Sequence, residues 1–360
     1  MCTIAGYIGN RKAVEVLVEM MRREQFFDGG LSTGIATVHE GKLYTAKVMG
    51  DLDDLLNNTD AMNFPGTIGL IHSRPGANYQ SHAHPFLSND GNIAVVLNGT
   101  TLGVGTPQFY NHSNEIMQGY LDRGFDLKTL YKSDEPKHQN HLLSNGMYYH
   151  DTEPYALMMG DFTADSTKET LKEDMAIAME RAICELPIDM VLLALNKDLD
   201  DTITVGKTTR PMAVSCVDGE AFLASSALAF PARARRGQII HLPPTSISQI
   251  SRDGINIIKT KLDAVRVEDI SHRAISLAYQ RLEKLLLGQK DDPKSIYEFD
   301  IGTDIWSEPL IDSKFMFEDG MMKPKTDLSY RTLWNFELEG RLHSVLGEYD
   351  GKRMTKFWLE

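Results

Sequence analysis

The second residue of the chain, Cys2, is the first that could do chemistry. If Met1 is removed, Cys2 carries a thiol and a free α-amine, and the amine can accept the thiol proton because their pKa values, about 8.5 and about 8, are close. The resulting thiolate could attack an amide carbonyl. Two other interpretations stay open, a small apolar residue in a first strand or an attachment point for a lipid or a metal.

A dipeptide at the end of the run IAVVLNG could supply the hydrogen-bond donors that such an attack needs. The tetrahedral oxyanion requires preorganised donors, commonly a side-chain amide and a main-chain N–H. Asn98 offers an amide NH₂, and Gly99 offers an N–H that is not screened by a Cβ. Asn-Gly is also a common turn sequence, so the two residues alone do not decide the question.

The candidate residues lie at the ends of predicted strands. CTIAGYIG, TIGLIHSR (67–74) and NIAVVLNG (92–99) are rich in small and β-branched residues and are predicted to be strands. AVEVLVEMMRREQ (13–25) and ETLKEDMAIAMERAICEL (169–186) carry apolar residues at helical spacing. Two β-rich regions with helices between them, and without regular βαβ alternation, predict a layered α+β domain.

A change of composition after Leu262 predicts a domain boundary. We expect one domain over 1–262 and a small helical module over 263–360. The module contains a helix that stops at Gly288 and a final helix followed by a hairpin that turns at Asp350 and Gly351. Helix plus hairpin resembles a winged helix, and we interpret the module as a packing or protein-interaction unit.

Composition and charge exclude several classes of function. A formal charge of −13 disfavours binding to nucleic acid or to an anionic membrane. The apolar runs are far shorter than the roughly 20 residues that cross a bilayer, so we expect a cytoplasmic protein that acts on a small molecule. Three distant cysteines indicate neither a disulfide framework nor a zinc site. His72, His82 and His84 cluster in one stretch, but we interpret them as structural and predict no metal and no cofactor.

The order of the motifs resembles the glutaminase domain of class II glutamine amidotransferases, which are N-terminal nucleophile hydrolases, and most closely that of glucosamine-6-phosphate synthase. CTIAGYIG is similar to the family's start, and HSRPGANYQSHAHP to its carboxylate-binding motif. The resemblance implies a four-layer sandwich of antiparallel sheets. It also implies that Cys2 is the nucleophile, that Arg74 binds the substrate carboxylate, and that Asn98 and Gly99 bind the oxyanion.

Several positions depart from the family pattern, and they make the substrate uncertain. Asp28, in FDGGLS, stands where the family has an arginine, and Pro75 replaces the tryptophan after the key arginine. Thr3 replaces a glycine beside the nucleophile, and Ser113 aligns with the aspartate that holds the substrate ammonium. Loss of a charged partner would cost on the order of a few kcal/mol of binding. Asp28, Pro75 and Ser113, with Arg74, are therefore the candidate substrate contacts.

Three hypotheses about function follow from the sequence. In the first, Cys2 hydrolyses a carboxamide such as glutamine through a thioester. The stretch 263–360 is too short for the family's two sugar-isomerase domains, so the ammonia would pass to a separate synthase partner or be released. In the second, the fold survives as an inactive binding or regulatory protein. In the third, the chain is an amidase for a carboxamide without an α-ammonium, which Asp28 and Ser113 contact.

Overall fold

The computed structural model describes residues 2–76, 79–100, 107–133, 141–302, 305 and 321–360. Its centre is a pair of antiparallel sheets. The seven-stranded sheet contains β1 (Thr3–Ile8), β2 (Ser32–His39), β3 (Lys42–Met49), β4 (Ile68–Arg74), β9 (Ala213–Val217), β10 (Glu220–Ala224) and β11 (Gln238–His241). The six-stranded sheet contains β5 (Phe86–Leu87), β6 (Ile93–Thr100), β7 (Asp189–Asn196), β8 (Ile203–Lys207), β12 (Ser246–Ser251) and β13 (Gly254–Lys259).

Helices cover the outer faces of both sheets. The helices in the described ranges are α1 (Ala13–Asp28), α2 (Leu52–Asn58), α3 (Pro107–Asp122), α4 (Glu153–Phe162), α5 (Leu171–Glu185), α6 (His272–Leu286) and α7 (Lys325–Leu338). α1 packs on the seven-stranded sheet, and α3, α4 and α5 pack on the six-stranded sheet. Within the described ranges, no helix is both long enough and apolar enough to span a membrane.

The strand that follows Cys2 is the middle strand of its sheet. The order is β11-β9-β10-β1-β4-β2-β3, and every residue of β1 is buried. Successive side chains of a strand point to opposite faces, so Ile4 and Ile8 pack between the two sheets while Ala5 and Tyr7 pack under α1. Apolar residues on both faces therefore fix this strand in the core. The resulting α/β/β/α order confirms the predicted α+β sandwich.

The C-terminal segment, residues 263–360, packs through its described residues against the same core as α1. It contains α6, α7, the short parallel pair β14 (Arg266–Val267) and β16 (Met321–Met322), and a small antiparallel sheet of β15 (Lys294–Ser295), β17 (Leu342–Tyr349) and β18 (Lys352–Leu359). The β17–β18 hairpin confirms the predicted turn at Asp350 and Gly351. A fully buried ion pair, 2.7 Å from Lys207 Nζ to Asp327 Oδ2, joins α7 to β8. The division at residue 262 stays a prediction.

Candidate active site

The start of β1 and the end of β4 place Cys2 beside Arg74. Thr3 lies opposite Ser73 in the antiparallel register, so the residue before Thr3 faces the residue after Ser73. The Thr3 hydroxyl donates to the Ser73 carbonyl at 3.4 Å and contacts the Met21 sulfur at 3.6 Å. A glycine could make neither contact. The change from the family's glycine to Thr3 thus ties the start of β1 to β4 and α1.

Asn98 holds Cys2 by two hydrogen bonds between the sheets. The Cys2 N–H donates to Asn98 Oδ1 at 3.1 Å, and Asn98 Nδ2 donates to the Cys2 carbonyl at 2.7 Å. Because a main-chain N–H only donates and a carbonyl only accepts, this pair fixes which way the amide points. The side chain is 1% exposed. One hydrogen of the Asn98 NH₂ group is therefore used on Cys2, and the second can serve another acceptor.

Gly99 is a glycine because β7 passes very close to it. Gly99 lies opposite Met190, and a Cβ at this position would lie 2.8 Å from the Asp189 carbonyl oxygen and 2.8 Å from Met190 Cβ. Such distances exclude any side chain without movement of a strand. The packing of β6 on β7 is therefore sufficient to explain this glycine. The role of the Gly99 N–H as an oxyanion donor stays a prediction.

The Arg74 guanidinium is fixed at the strand end by two acceptors. Its Nη1 donates to the His82 carbonyl at 2.9 Å and to His150 Nε2 at 2.5 Å. His150 Nδ1, the other ring nitrogen, lies 3.1 Å from Asp151 Oδ1 and 3.2 Å from the main-chain nitrogen of Thr152. Among the described residues, no carboxylate pairs with Arg74. The guanidinium is therefore held in place without a carboxylate partner from these residues.

The histidines of this region are buried and neutral. His72 Nε2 is hydrogen-bonded to the Leu97 carbonyl at 3.1 Å, and the His72 and His84 rings pack with centroids 3.8 Å apart and planes tilted by 33°. Burial lowers the pKa of His72 to about 3 and holds the pKa values of His84 and His150 well below the usual range. In the part of the chain that the structure describes, no group of three or more His, Cys, Asp or Glu side chains is arranged to hold a metal ion.

Asp28 brings a negative charge to the nucleophile. It is the last residue of α1, is fully buried, and accepts a hydrogen bond from the Tyr297 hydroxyl. Burial raises the pKa of this carboxyl. Burial of the thiol raises the pKa of Cys2; the Arg74 charge lowers that pKa, and the Asp28 charge raises it further. The sign reversal seen in the sequence therefore acts on the candidate nucleophile itself.

The other two predicted substrate contacts lie in different surroundings. Ser113 is buried in α3, where its hydroxyl is 2.7 Å from the Tyr149 hydroxyl, which donates to Asn114 Oδ1 at 2.9 Å. Among the contacts of the described residues, none joins Ser113 to Cys2 or Arg74. Pro75 directly follows β4 and is partly exposed. The structure thus brings Arg74 and Asp28 to the Cys2 end of the sheets. The Ser113 hydroxyl is instead hydrogen-bonded to Tyr149 within the helical layer.

Two residues that the sequence did not single out also act on this site. Arg210 Nη2 forms an ion pair with Asp189 Oδ2 at 2.5 Å. The main-chain N–H of Arg210 donates to the carbonyl of Met190, the residue opposite Gly99, at 3.4 Å. The Arg210 charge lowers the pKa of the Cys2 thiol. Tyr297 comes from the C-terminal segment. An isolated arginine in KTTRPM and a tyrosine far from Cys2 in sequence carry no local signal of this placement.

Comparison with known proteins relates the chain to glutamine-dependent enzymes. The glutamine–fructose-6-phosphate aminotransferase (isomerizing) of Pyrococcus horikoshii is 29% identical over 273 residues, which cover 75% of this chain and 40% of that protein. The enzyme of the same name from Streptomyces coelicolor is 26% identical over 261 residues, 71% of this chain and 36% of its own. The chain thus spans well under half the length of these relatives. No protein-family model matches the sequence.

Solved structures agree with this relationship at the level of the fold. Glutamine phosphoribosylpyrophosphate amidotransferase from B. subtilis superposes with a TM-score of 0.54 at 16% identity, over 79% of this chain and 58% of that one. A second structure, described as the allosteric regulatory enzyme of purine biosynthesis, gives 0.54 at 15% identity, with the same coverage of both chains. The chain is therefore a relative of the class II glutamine amidotransferases, with the N-terminal nucleophile hydrolase fold that its motifs indicated.

Proposed function

We propose that this chain hydrolyses a carboxamide by attack of Cys2, as a glutaminase or as the glutamine-hydrolysing part of an amidotransferase. The observation that supports this most is the reciprocal pair of hydrogen bonds between Cys2 and Asn98, with the Arg74 guanidinium at the same end of the sheets. A half-buried core cysteine needs neither of these neighbours. A nucleophile that acts on a substrate with a carboxylate needs both.

In the proposed reaction, removal of Met1 frees the α-amine of Cys2, which accepts the thiol proton. The thiolate attacks the amide carbon, and the second hydrogen of Asn98 Nδ2 together with the Gly99 N–H stabilises the oxyanion. The C–N bond then breaks, the nitrogen takes the proton from the α-amine, and ammonia leaves a thioester on Cys2. Water attacks the thioester, so that the acid is released and the thiol is restored. Arg74 binds the substrate carboxylate throughout.

The fate of the ammonia is the second part of the proposal. The sequence relatives are named as aminotransferases to fructose-6-phosphate, and this chain matches only 36–40% of their length. We therefore propose that an acceptor protein on another chain uses the ammonia, or that the ammonia is released. Ammonia release from the isolated chain without any acceptor would indicate the second possibility.

Intact mass spectrometry tests the nucleophile directly. The protein is measured before and after exposure to a diazo-ketone analogue of glutamine, with Cys2→Ala, Cys184→Ser and Cys216→Ser as matched variants. We expect loss of Met1 and one adduct that disappears only in Cys2→Ala. An adduct that survives in Cys2→Ala, or a Cys2 that no carboxamide or analogue modifies, would contradict the proposal and favour a binding or regulatory role.

One observation favours a second candidate, an amidase for a carboxamide without an α-ammonium. The Ser113 hydroxyl, at the family's ammonium-binding position, is bonded to Tyr149 instead of facing Cys2. Ammonia release from glutamine and from glutaramate, which lacks the α-ammonium, separates the two candidates. Faster release from glutaramate, dependent on Cys2, would favour the second.

A further inference from the structure

The last turn of α1 contacts the C-terminal segment at three consecutive residues. The Arg353 guanidinium lies over the Phe26 ring, 4.3 Å from its centroid. The Phe27 ring packs against Phe357, with centroids 5.3 Å apart, and against a buried tyrosine of α7. Asp28 accepts the hydrogen bond from Tyr297. The C-terminal segment therefore holds the helix end that carries the reversed charge.

The position of Tyr297 is itself well fixed. It lies in a short 3-10 turn, Ile296–Glu298, in which Glu298 accepts hydrogen bonds from the N–H and the hydroxyl of Ser295 at 2.7 and 2.8 Å. Its ring stacks on Tyr349 with centroids 5.9 Å apart and planes 6° from parallel. The turn and the stacked ring together aim the hydroxyl at Asp28.

A short path leads from Asp28 to the nucleophile. The Gly30 N–H donates to Ser73 Oγ at 2.8 Å, and the N–H of the next residue donates to the Arg74 carbonyl at 3.0 Å. A Cβ on Gly29 would lie 2.8 Å from Ser73 Oγ, so glycine allows this close approach. Ser73 is the partner of Thr3 in the sheet. The end of α1, the end of β4 and the start of β1 therefore form one packed unit.

We propose that the C-terminal segment is part of the candidate active site, in which Tyr297 is a positioning residue that holds the Asp28 carboxylate at the Cys2 end of the sheets. The inference deepens the proposed function and rests on it. The Tyr297 hydroxyl donates to the carboxylate and so favours its ionised form, and the ionised carboxylate opposes formation of the Cys2 thiolate. The C-terminal segment, which the sequence predicts to be a packing or protein-interaction unit, would then control the negative charge of Asp28 beside the Cys2 thiol and the substrate.

Several other groups share these surroundings and enter the interpretation of any pH dependence. The titratable or charged groups that act on Asp28 or are acted on by it are Tyr297, Tyr330, Arg210, Cys2 and the chain's amino terminus. Burial raises the pKa of Tyr330. The Tyr297 side chain is 44% exposed, but desolvation around its hydroxyl and the Asp28 charge raise its pKa, so both tyrosines stay neutral at the pH of an assay. Of the side chains in this group, Asp28 is therefore the one whose titration the Asp28→Asn variant isolates.

The test is the rate of Cys2 modification by methyl methanethiosulfonate as a function of pH, read by intact mass. We expect the wild-type profile to contain an inflection at the pH where Asp28 titrates, in addition to the titration of the thiol itself. In Asp28→Asn this inflection disappears. At pH values above the wild-type inflection the rate rises about threefold for each unit by which the thiol pKa falls, because about tenfold more thiolate forms and its nucleophilicity is about threefold lower. In Tyr297→Phe the inflection moves to higher pH, because the carboxylate has lost its donor.

A matched control is Tyr279→Phe, which removes a tyrosine–carboxylate hydrogen bond of 2.7 Å to Glu339 in the same segment but away from Cys2. Its profile should superimpose on the wild type. Tyr297→Phe should have no effect in the Asp28→Asn background. An unchanged profile in Tyr297→Phe, the same change in both backgrounds, or an inflection that persists in Asp28→Asn would overturn the inference. Because the readout is thiol reactivity, loss of amide hydrolysis alone would refute the proposed function and leave this result standing.

Discussion

Replacing Asn98 with alanine should weaken the fold at the Cys2 end by a predictable amount. The change removes the acceptor of the Cys2 N–H and the donor to the Cys2 carbonyl, at 3.1 and 2.7 Å. An unsatisfied main-chain group costs about 1–3 kcal/mol, and Cys2 is only half-buried, so water recovers part of the loss. We therefore take the lower half of the range, about 1–2 kcal/mol for each of the two groups, and expect the free energy of unfolding to fall by about 2–4 kcal/mol.

The same variant should also lose catalysis by more than its stability explains. Removal of one oxyanion donor costs about 10²–10³ in kcat, so Cys2-dependent amide hydrolysis should fall by that factor in protein that is still folded. Both effects are measured on one preparation. Urea unfolding, followed by circular dichroism, gives the loss of stability, and ammonia release in the absence of urea gives the loss of catalysis.

Asn196→Ala supplies the control. Asn196 is a buried asparagine of the neighbouring strand, opposite Ile93 at the far end of β6, and its Oδ1 accepts from the Asp198 N–H at 2.9 Å. It should lose stability without a specific loss of activity. The reasoning is refuted if Asn98→Ala unfolds at the wild-type urea midpoint, or if both variants lose activity in proportion to their stability.

Three further predictions concern packing and charge. Asp327→Ala should lower the free energy of unfolding by about 3–5 kcal/mol because it leaves the Lys207 ammonium buried without its counter-charge. Adding Lys207→Met to this variant should recover at least half of the lost free energy of unfolding. Equal urea midpoints for the single and the double variant would contradict this. Gly99→Ala should cost about 1–3 kcal/mol because its methyl group would meet β7 at 2.8 Å, and a thermal melt that matches wild type would show that the strands can separate freely. His72 and His84 stay neutral in the fold but take a proton in the unfolded chain below about pH 6.5, so the stability that their burial preserves above that pH is lost as pH falls, by about 2 kcal/mol for His72 at pH 5. Urea midpoints that are equal at pH 7 and pH 5 would argue against it.

Features that depend on local pattern could be predicted from the sequence. β1 and β6 are continuous runs of small and β-branched residues, which is why the residue types alone indicate the strands that carry Cys2 and Asn98. The helical spacing of α6 and the turn at Asp350 are equally local signals. The order of the layers follows only from the resemblance of the motifs to a family, because the pattern of one strand does not specify its neighbours.

Features that depend on contacts distant in sequence could not be predicted. Nothing near Tyr297 indicates that its hydroxyl meets Asp28, since the two residues are joined only when the C-terminal segment packs on α1. The bond between His150 and Arg74 has the same character. Gly99 shows a different limit. From the sequence, the glycine is explained by an N–H that binds the substrate oxyanion, whereas the structure explains it by the close packing of β6 on β7.

The central position of β1 also determines when the site can form during synthesis. Ala5 pairs with Ile71 on one side and with Ala224 on the other, so the second neighbour of the strand leaves the ribosome only after most of the chain has been made. Pairings so distant in sequence form late, because the loop between the partners must close first. One side of β1 therefore stays unpaired until the chain has been made beyond Ala224, and the proposed processing before Cys2 would have this interval in which to occur before the strand is enclosed between its neighbours.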